Sequence, residues 1–206
     1  MVDIKISKNM QIKNKYTVCQ KIKLGWWLVR TKLICRQARL IRFPLDLRNR
    51  SYIDLGERLT TGVGCRIEAY SIDGTKTLHF GSNVQINDYV HICAMKNVTI
   101  GDNVLMAGRI YISDNSHGSY KGDENDTSPE IVPTNRAYPT NDVIIEDNVW
   151  LGEGVVVLPG VRIGKGSIIG ANSVVSRNIP SNTIALGQPA KPIKKYNFNV
   201  KQWERL

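Results

Sequence analysis

The chain has only three histidines, and one of them, His117, lies in the run Ser113-Asp-Asn-Ser-His-Gly-Ser119. An imidazole titrates near neutral pH, so it can take the proton of a hydroxyl as that oxygen attacks a carbonyl. Asp114, three residues ahead, is placed to accept from the ring and fix its tautomer, or to cap a turn. His79 and His91 each precede an apolar residue, Phe80 and Ile92, and so are expected to point outward and pack at a surface or interface. Cys19, Cys35, Cys65 and Cys93 stand far apart, with no Cys-x-x-Cys pair and no histidine at zinc-ligand spacing. They read as buried thiols, and no metal is expected.

What must position His117 is a repeat with one interruption. From Ile145 an aliphatic residue returns at every sixth position, as Leu151, Val157, Ile163, Ile169 and Val175. A second series, Val149, Val155, Val161, Ser167, Ser173 and Ile179, keeps the same period four residues behind. Upstream the period appears as Phe80, Ile86, Ile92 and Val98, then shifts by two and resumes as Ile100, Met106 and Ile112. Six matches neither the helical 3.6 nor a sustained strand alternation of two. It fits a short strand plus a turn forming one flat side of a coil, three sides to a turn, with the aliphatic residues stacked inside about 4.8 Å apart. Glycines such as Gly152, Gly164 and Gly170 follow the inward residue and would relieve crowding at the corners. The phase breaks between Asp114 and Asn141, a stretch holding Pro129, Pro133 and Pro139. A loop that long inside a compact repeat is usually functional, and His117 stands at its base.

The pattern [LIV]-[GAE]-x-x-[STAV]-x resembles that of the hexapeptide-repeat acyltransferases, carried by Asn148-Val-Trp-Leu-Gly152, Leu158-Pro-Gly-Val-Arg-Ile-Gly164, Ile169-Gly-Ala-Asn-Ser-Val-Val175 and Gly187-Gln-Pro-Ala-Lys191. The resemblance covers roughly residues 51 to 195 and implies a left-handed coil, a homotrimer and acetyl-CoA bound between neighbouring copies. On it, His117 is similar to the catalytic histidine of the family's O-acetyltransferases. Gly81-Ser-Asn-Val-Gln-Ile-Asn87 resembles a stretch whose second asparagine, here Asn87, contacts the acceptor and helps hold the oxyanion. A donor aimed there lowers a barrier by about 3 kcal/mol, while Asn83 suits a corner of positive φ. Trp150 matches a tryptophan bordering the pantetheine channel and the catalytic centre, where it would help position the acceptor. Gly152, Ala171, Ser176, Lys191 and Lys194 match the cofactor side, the lysines as point charges for phosphate. Glu153 departs from the usual serine or glycine. The implied activity is acetyl transfer to a saccharide hydroxyl in surface polysaccharide assembly. A small acceptor such as a galactoside, maltose or an antibiotic, or a scaffold without catalysis, is the alternative.

Ahead of the repeat the composition changes. Of a net charge of +10, residues 1 to 50 carry +11, with 13 Lys and Arg against Asp3 and Asp46. Within residues 15 to 43, Ile22, Trp26, Val29, Leu33 and Leu40 recur at helical spacing among Lys and Arg, predicting a basic amphipathic helix that Pro44 stops. It is expected to pack on the body or, alternatively, to touch an anionic membrane surface. The segment has no nucleic-acid motif. No apolar run spans a bilayer and no secretion signal opens the chain, so a cytoplasmic protein is expected. The chain thus reads as all-β: a left-handed parallel β-helix over residues 51 to 195 with an extruded loop at 114 to 141, a helical segment over 1 to 50 and a tail over 196 to 206.

Overall fold

Every residue of the sixfold series points into a three-sided parallel coil. The computed structural model describes residues 4–7, 10–12 and 15–206, with side chains from residue 15. The first face stacks Gln85–Ile86, Leu105–Met106, Trp150–Leu151, Ile168–Ile169 and Thr183–Gly187. The second stacks Leu45–Arg48, Cys65–Ala69, His91–Ala94, Tyr111–Ser113, Val156–Val157 and Val174–Val175. The third stacks Ile53–Asp54, Leu78–Phe80, Val98–Ile100, Val143–Ile145 and Arg162–Ile163.

Register explains the sequence spacing. Ile145 lies beside Ile163, Leu151 beside Ile169 and Val157 beside Val175, eighteen residues on in each case. Phe80 pairs with Ile100 and Ile86 with Met106, twenty residues on, so the two-residue shift lengthens one turn without rotating the faces. These side chains are almost entirely buried, and each such burial stabilises the coil by about 1.5–3 kcal/mol. Ser167 and Ser173 are buried in the second series too, because their hydroxyls are satisfied. Ser167 Oγ donates to the Pro180 carbonyl at 2.7 Å, and Ser173 Oγ accepts from the Gly187 N–H at 3.1 Å. Corners turn through left-handed residues, Asn83, Asn103, Asn148 and Asn172 at φ 56–58°, a conformation asparagine tolerates. At Gly152 the requirement is space: a Cβ would stand 2.7 Å from the Ala171 nitrogen.

The loop leaves this stack without disturbing it. Ile100 and Ile145, forty-five residues apart, are still direct neighbours. The neck is closed by the Asn141 N–H donating to the Asp114 carbonyl at 2.8 Å and by an antiparallel bridge between Asn115 and Thr140.

Both ends differ from expectation. The helix runs Val18–Ile34 behind a capping box of Thr17 and Gln20 and ends at Cys35, well before Pro44. The Thr31 hydroxyl turns the chain back, donating to the Trp27 carbonyl at 2.7 Å and accepting from the Ile41 N–H at 2.8 Å. Ala38, Leu40 and Ile41 are then buried, and Leu45–Arg48 is already a strand of the second face, ahead of residue 51. The expected apolar stripe does not pack on the body: Leu24, Trp27 and Thr31 make the inner side of the helix, while Ile22, Trp26, Val29 and Leu33 are exposed. Cys19, read as buried, is exposed on this helix. At the other end Ala190–Asn197 and Gln202–Arg205 extend the first face as antiparallel strands, so residues 196 to 206 are not a loose tail. Among the described residues no helix is long and apolar enough to cross a membrane.

Candidate active site

The loop is braced across itself around His117. The Gly118 N–H donates to the Ala137 carbonyl at 2.8 Å, the Thr127 N–H donates to the Ser119 carbonyl at 2.8 Å, and Arg136 donates to the Tyr120 hydroxyl at 2.7 Å. That hydroxyl in turn donates to the His117 carbonyl. The exposed His117 ring packs against Tyr138 at 4.6 Å between centroids, and its Nδ1 lies 3.3 Å from the Pro133 carbonyl oxygen. A carbonyl only accepts, so Nδ1 carries the hydrogen and Nε2 is left with a free lone pair. This is the tautomer a general base needs.

Asp114 does not supply that orientation. It is fully buried, and its carboxylate accepts from the backbone N–H groups of Met95, Lys96 and Asn97 at 2.7–3.1 Å and from Asn115 Nδ2 at 3.1 Å. It caps the corner of the turn beneath. The orienting acceptor comes instead from the far side of the loop.

His117 borders a cavity of about 720 Å3 over the outer side of the second face. A buried carboxylate, Glu68, organises its wall. Glu68 accepts from Arg66 at 2.8 Å, from the Tyr70 hydroxyl at 3.1 Å and from His91 Nε2 at 2.9 Å, with Arg48 3.6 Å away. Burial works against its charge, but the hydrogen bonds from His91, Arg66 and Tyr70 outweigh it and hold the carboxyl below the ordinary range. Burial beside that carboxylate pushes the Tyr70 phenol up, and burial also raises the Cys93 thiol. His91, expected to point outward, does so, packs its edge against Tyr111 and lines the cavity that His117 borders. His79, half-buried on the third face, places Nε2 3.1 Å from the Lys76 carbonyl.

The other candidates sit elsewhere on the chain. Asn87 is exposed at the corner between the first and second faces, beside a shallower cavity of about 260 Å3 with Tyr89, Arg109 and Glu153. Gly152 and Ala171 stack at that same corner. Glu153 has a defined task there: it accepts from the Gly108 N–H at 2.8 Å and from Arg109 at 3.1 Å, tying two turns together. Trp150, half-exposed, stands on the first face in the row Leu105, Trp150, Ile168 and Ile184, and Lys194 is next across the terminal hairpin. Lys191 lies near the hairpin tip opposite Leu186. Ser176 is exposed just past Val174–Val175, at the edge of the second face from which the loop departs two turns below. A single chain therefore groups His117 with Glu68 and His91, and separately groups Asn87 with Gly152 and Ala171.

Comparison with known proteins agrees with this architecture. The family model described as bacterial transferase hexapeptide (six repeats) matches residues 142–177. A protein of Escherichia coli (strain K12) named putative lipopolysaccharide biosynthesis O-acetyl transferase WbbJ is 44% identical over 196 residues, covering 95% of this chain and 98% of that one. Galactoside acetyltransferase, solved in complex with coenzyme A, is 33% identical over 70% of this chain and 69% of its own, with a TM-score of 0.50. AntD, an N-acyltransferase from Bacillus cereus solved with dTDP-4-amino-4,6-dideoxyglucose and coenzyme A, shares the fold at 22% identity and a TM-score of 0.65, over 80% of this chain and 84% of its own. With nearly the whole length matched at that identity, the chain belongs to the hexapeptide-repeat acetyltransferases, enzymes whose coil is a left-handed parallel β-helix.

Proposed function

We propose that this enzyme transfers the acetyl group of acetyl-CoA to a saccharide hydroxyl during surface polysaccharide assembly, working in the cytoplasm as a homotrimer. One observation carries the reading: an imidazole whose Nδ1 lies 3.3 Å from the Pro133 carbonyl borders a large cavity with tyrosines and a hydrogen-bonding wall. Tyrosine and histidine rings beside polar groups suit a sugar, which presents both C–H faces and hydroxyls. The match to a protein named for lipopolysaccharide O-acetylation supports the acceptor class, and the galactoside acetyltransferase solved with coenzyme A supports the donor.

The acceptor hydroxyl gives its proton to His117 Nε2 as its oxygen attacks the thioester carbonyl. The tetrahedral intermediate collapses, the C–S bond breaks, and the imidazolium returns the proton to the departing CoA sulfur. Asn87 donates to the oxyanion and Trp150 walls the channel. Since one chain holds these residues apart from His117, the seam between copies has to bring the first face of one against the loop of the next. Gly152 and Ala171 leave room for the pantetheine arm, Ser176 lies along the same seam, and Lys191 and Lys194 offer ammonium groups to the CoA phosphates.

The test incubates the protein with acetyl-CoA and a de-O-acetylated surface polysaccharide, alongside His117→Ala. The expected product gains one acetyl group that mild alkali removes, and the variant, with its oligomeric state intact, is slower by at least about a hundredfold. An alkali-stable product or equal rates would overturn the assignment.

A further inference from the structure

The helix Val18–Ile34 turns its strongest apolar stripe away from everything else described in the chain. At about 100° per residue, Val18, Val29, Ile22, Leu33 and Trp26 fall within an arc of about 80°, and the half-buried Leu24 and Trp27, with Thr31, whose hydroxyl bonds the Ile41 backbone, lie diametrically opposite. The stripe residues are between 54% and 82% exposed. Isolated apolar side chains on a surface need no explanation, but five aligned along 17 residues do. Lys21 and Lys32 flank the stripe on one side and Lys23 and Arg30 on the other. From residue 4 to residue 45 the sequence contains no aspartate or glutamate and eleven lysines and arginines.

We propose that this helix docks flat on an anionic lipid surface, its stripe among the acyl chains and its flanking cations at the headgroups. The arrangement is that of an interfacial helix: an apolar arc bordered on both sides by long cations whose stems can follow the chain down while the charges stay at the phosphates. Charge selects this occupant: the helix and its flanking sequence present eleven cations and no anion from residue 4 to residue 45, the complement of an anionic headgroup layer.

Flotation of the full-length protein with vesicles tests it, in the absence of acetyl-CoA and acceptor, so the outcome is separate from the transferase reading. Wild type is expected to float with vesicles of phosphatidylglycerol in phosphatidylcholine and to stay behind with phosphatidylcholine alone. The pair Trp26→Ser and Leu33→Ser, and separately Lys21→Gln with Lys23→Gln, should each cut the floated fraction about tenfold, with light scattering showing an unchanged oligomer. Wild type left unfloated, equal flotation by the serine variant, or binding to both vesicle types alike overturns the proposal. A changed oligomeric state in the serine variant also does so, by assigning the stripe to another copy.

Discussion

Replacing Glu68 by glutamine should destabilise the fold in a way that depends on pH with a definite sign. The carboxylate is 3% exposed and serves three donors at 2.8–3.1 Å. Removing one partner of a buried charge pair costs about 3–5 kcal/mol. That upper figure needs a discount, because Arg66 and Arg48 are more than 40% exposed and keep part of their hydration. The glutamine carbonyl can also serve one donor. A net loss of about 2 kcal/mol is the resulting expectation, or about 4–8 °C in melting midpoint for a chain of this size. Since the folded carboxyl titrates below its ordinary value, its stabilisation is complete above the unfolded value of about 4.3 and fades as pH falls through the folded value. The gap between wild type and Glu68→Gln should therefore be constant from neutral pH down to about 5 and close below the ordinary carboxylate range. Far-UV circular dichroism melts across that range would measure it. A variant that melts with wild type at neutral pH, or a gap that widens on acidification, refutes the reasoning.

Two further substitutions separate the loop from the coil. Gly118 holds φ +104°, and a Cβ there would meet the Tyr120 hydroxyl at 2.5 Å and Thr127 Oγ1 at 2.9 Å; Gly118→Ala should relieve that clash by distorting the exposed loop locally while leaving the stacked coil intact. Acetyl transfer should fall at least about tenfold while the melting midpoint of the coil barely moves, and unchanged activity would show that loop shape does not place the imidazole. Met106, fully buried between Ile86 and Leu151, should cost about 2–5 kcal/mol when cut to alanine. Chemical denaturation measures this, and a loss under about 1 kcal/mol would mean that the stack closes over the gap.

How much of this could be read from residues alone follows from what each part of the fold demands of its side chains. An inward position on every side of the coil accepts only an aliphatic or small residue, so Ile145 to Val175 declare the architecture without help from distant contacts. The loop is equally visible, because inserting it cost the register nothing once Asp114 and Asn141 had closed the neck. The extent of the helix was not visible. Leu40 continues the helical spacing of Leu33, yet the Thr31 hydroxyl binds Ile41 and sends Leu40 into the top of the coil, a tertiary contact that no local pattern announces.

The cavity wall was hidden for a different reason. Arg48, Glu68 and His91 come from three successive strands of the second face, twenty and twenty-three residues apart, the first two ahead of Phe80, where the sixfold series begins. Each alone resembles an outward-facing surface residue, and only parallel stacking makes them one hydrogen-bonded unit. The same stacking misleads about Asp114. Three residues of separation suggest contact with His117, but the chain reverses at Asp114, whose carboxylate is drawn down to the N–H groups of Met95 to Asn97 on the turn beneath. The imidazole then finds its acceptor on the returning arm of the loop, at the 3-10 turn Pro133–Asn135, where the Pro133 carbonyl, sixteen residues later, sets its tautomer. In this coil vertical neighbours outrank sequence neighbours: the partners of Asp114 belong to the turn below and the acceptor beside His117 to the far arm of the same insertion.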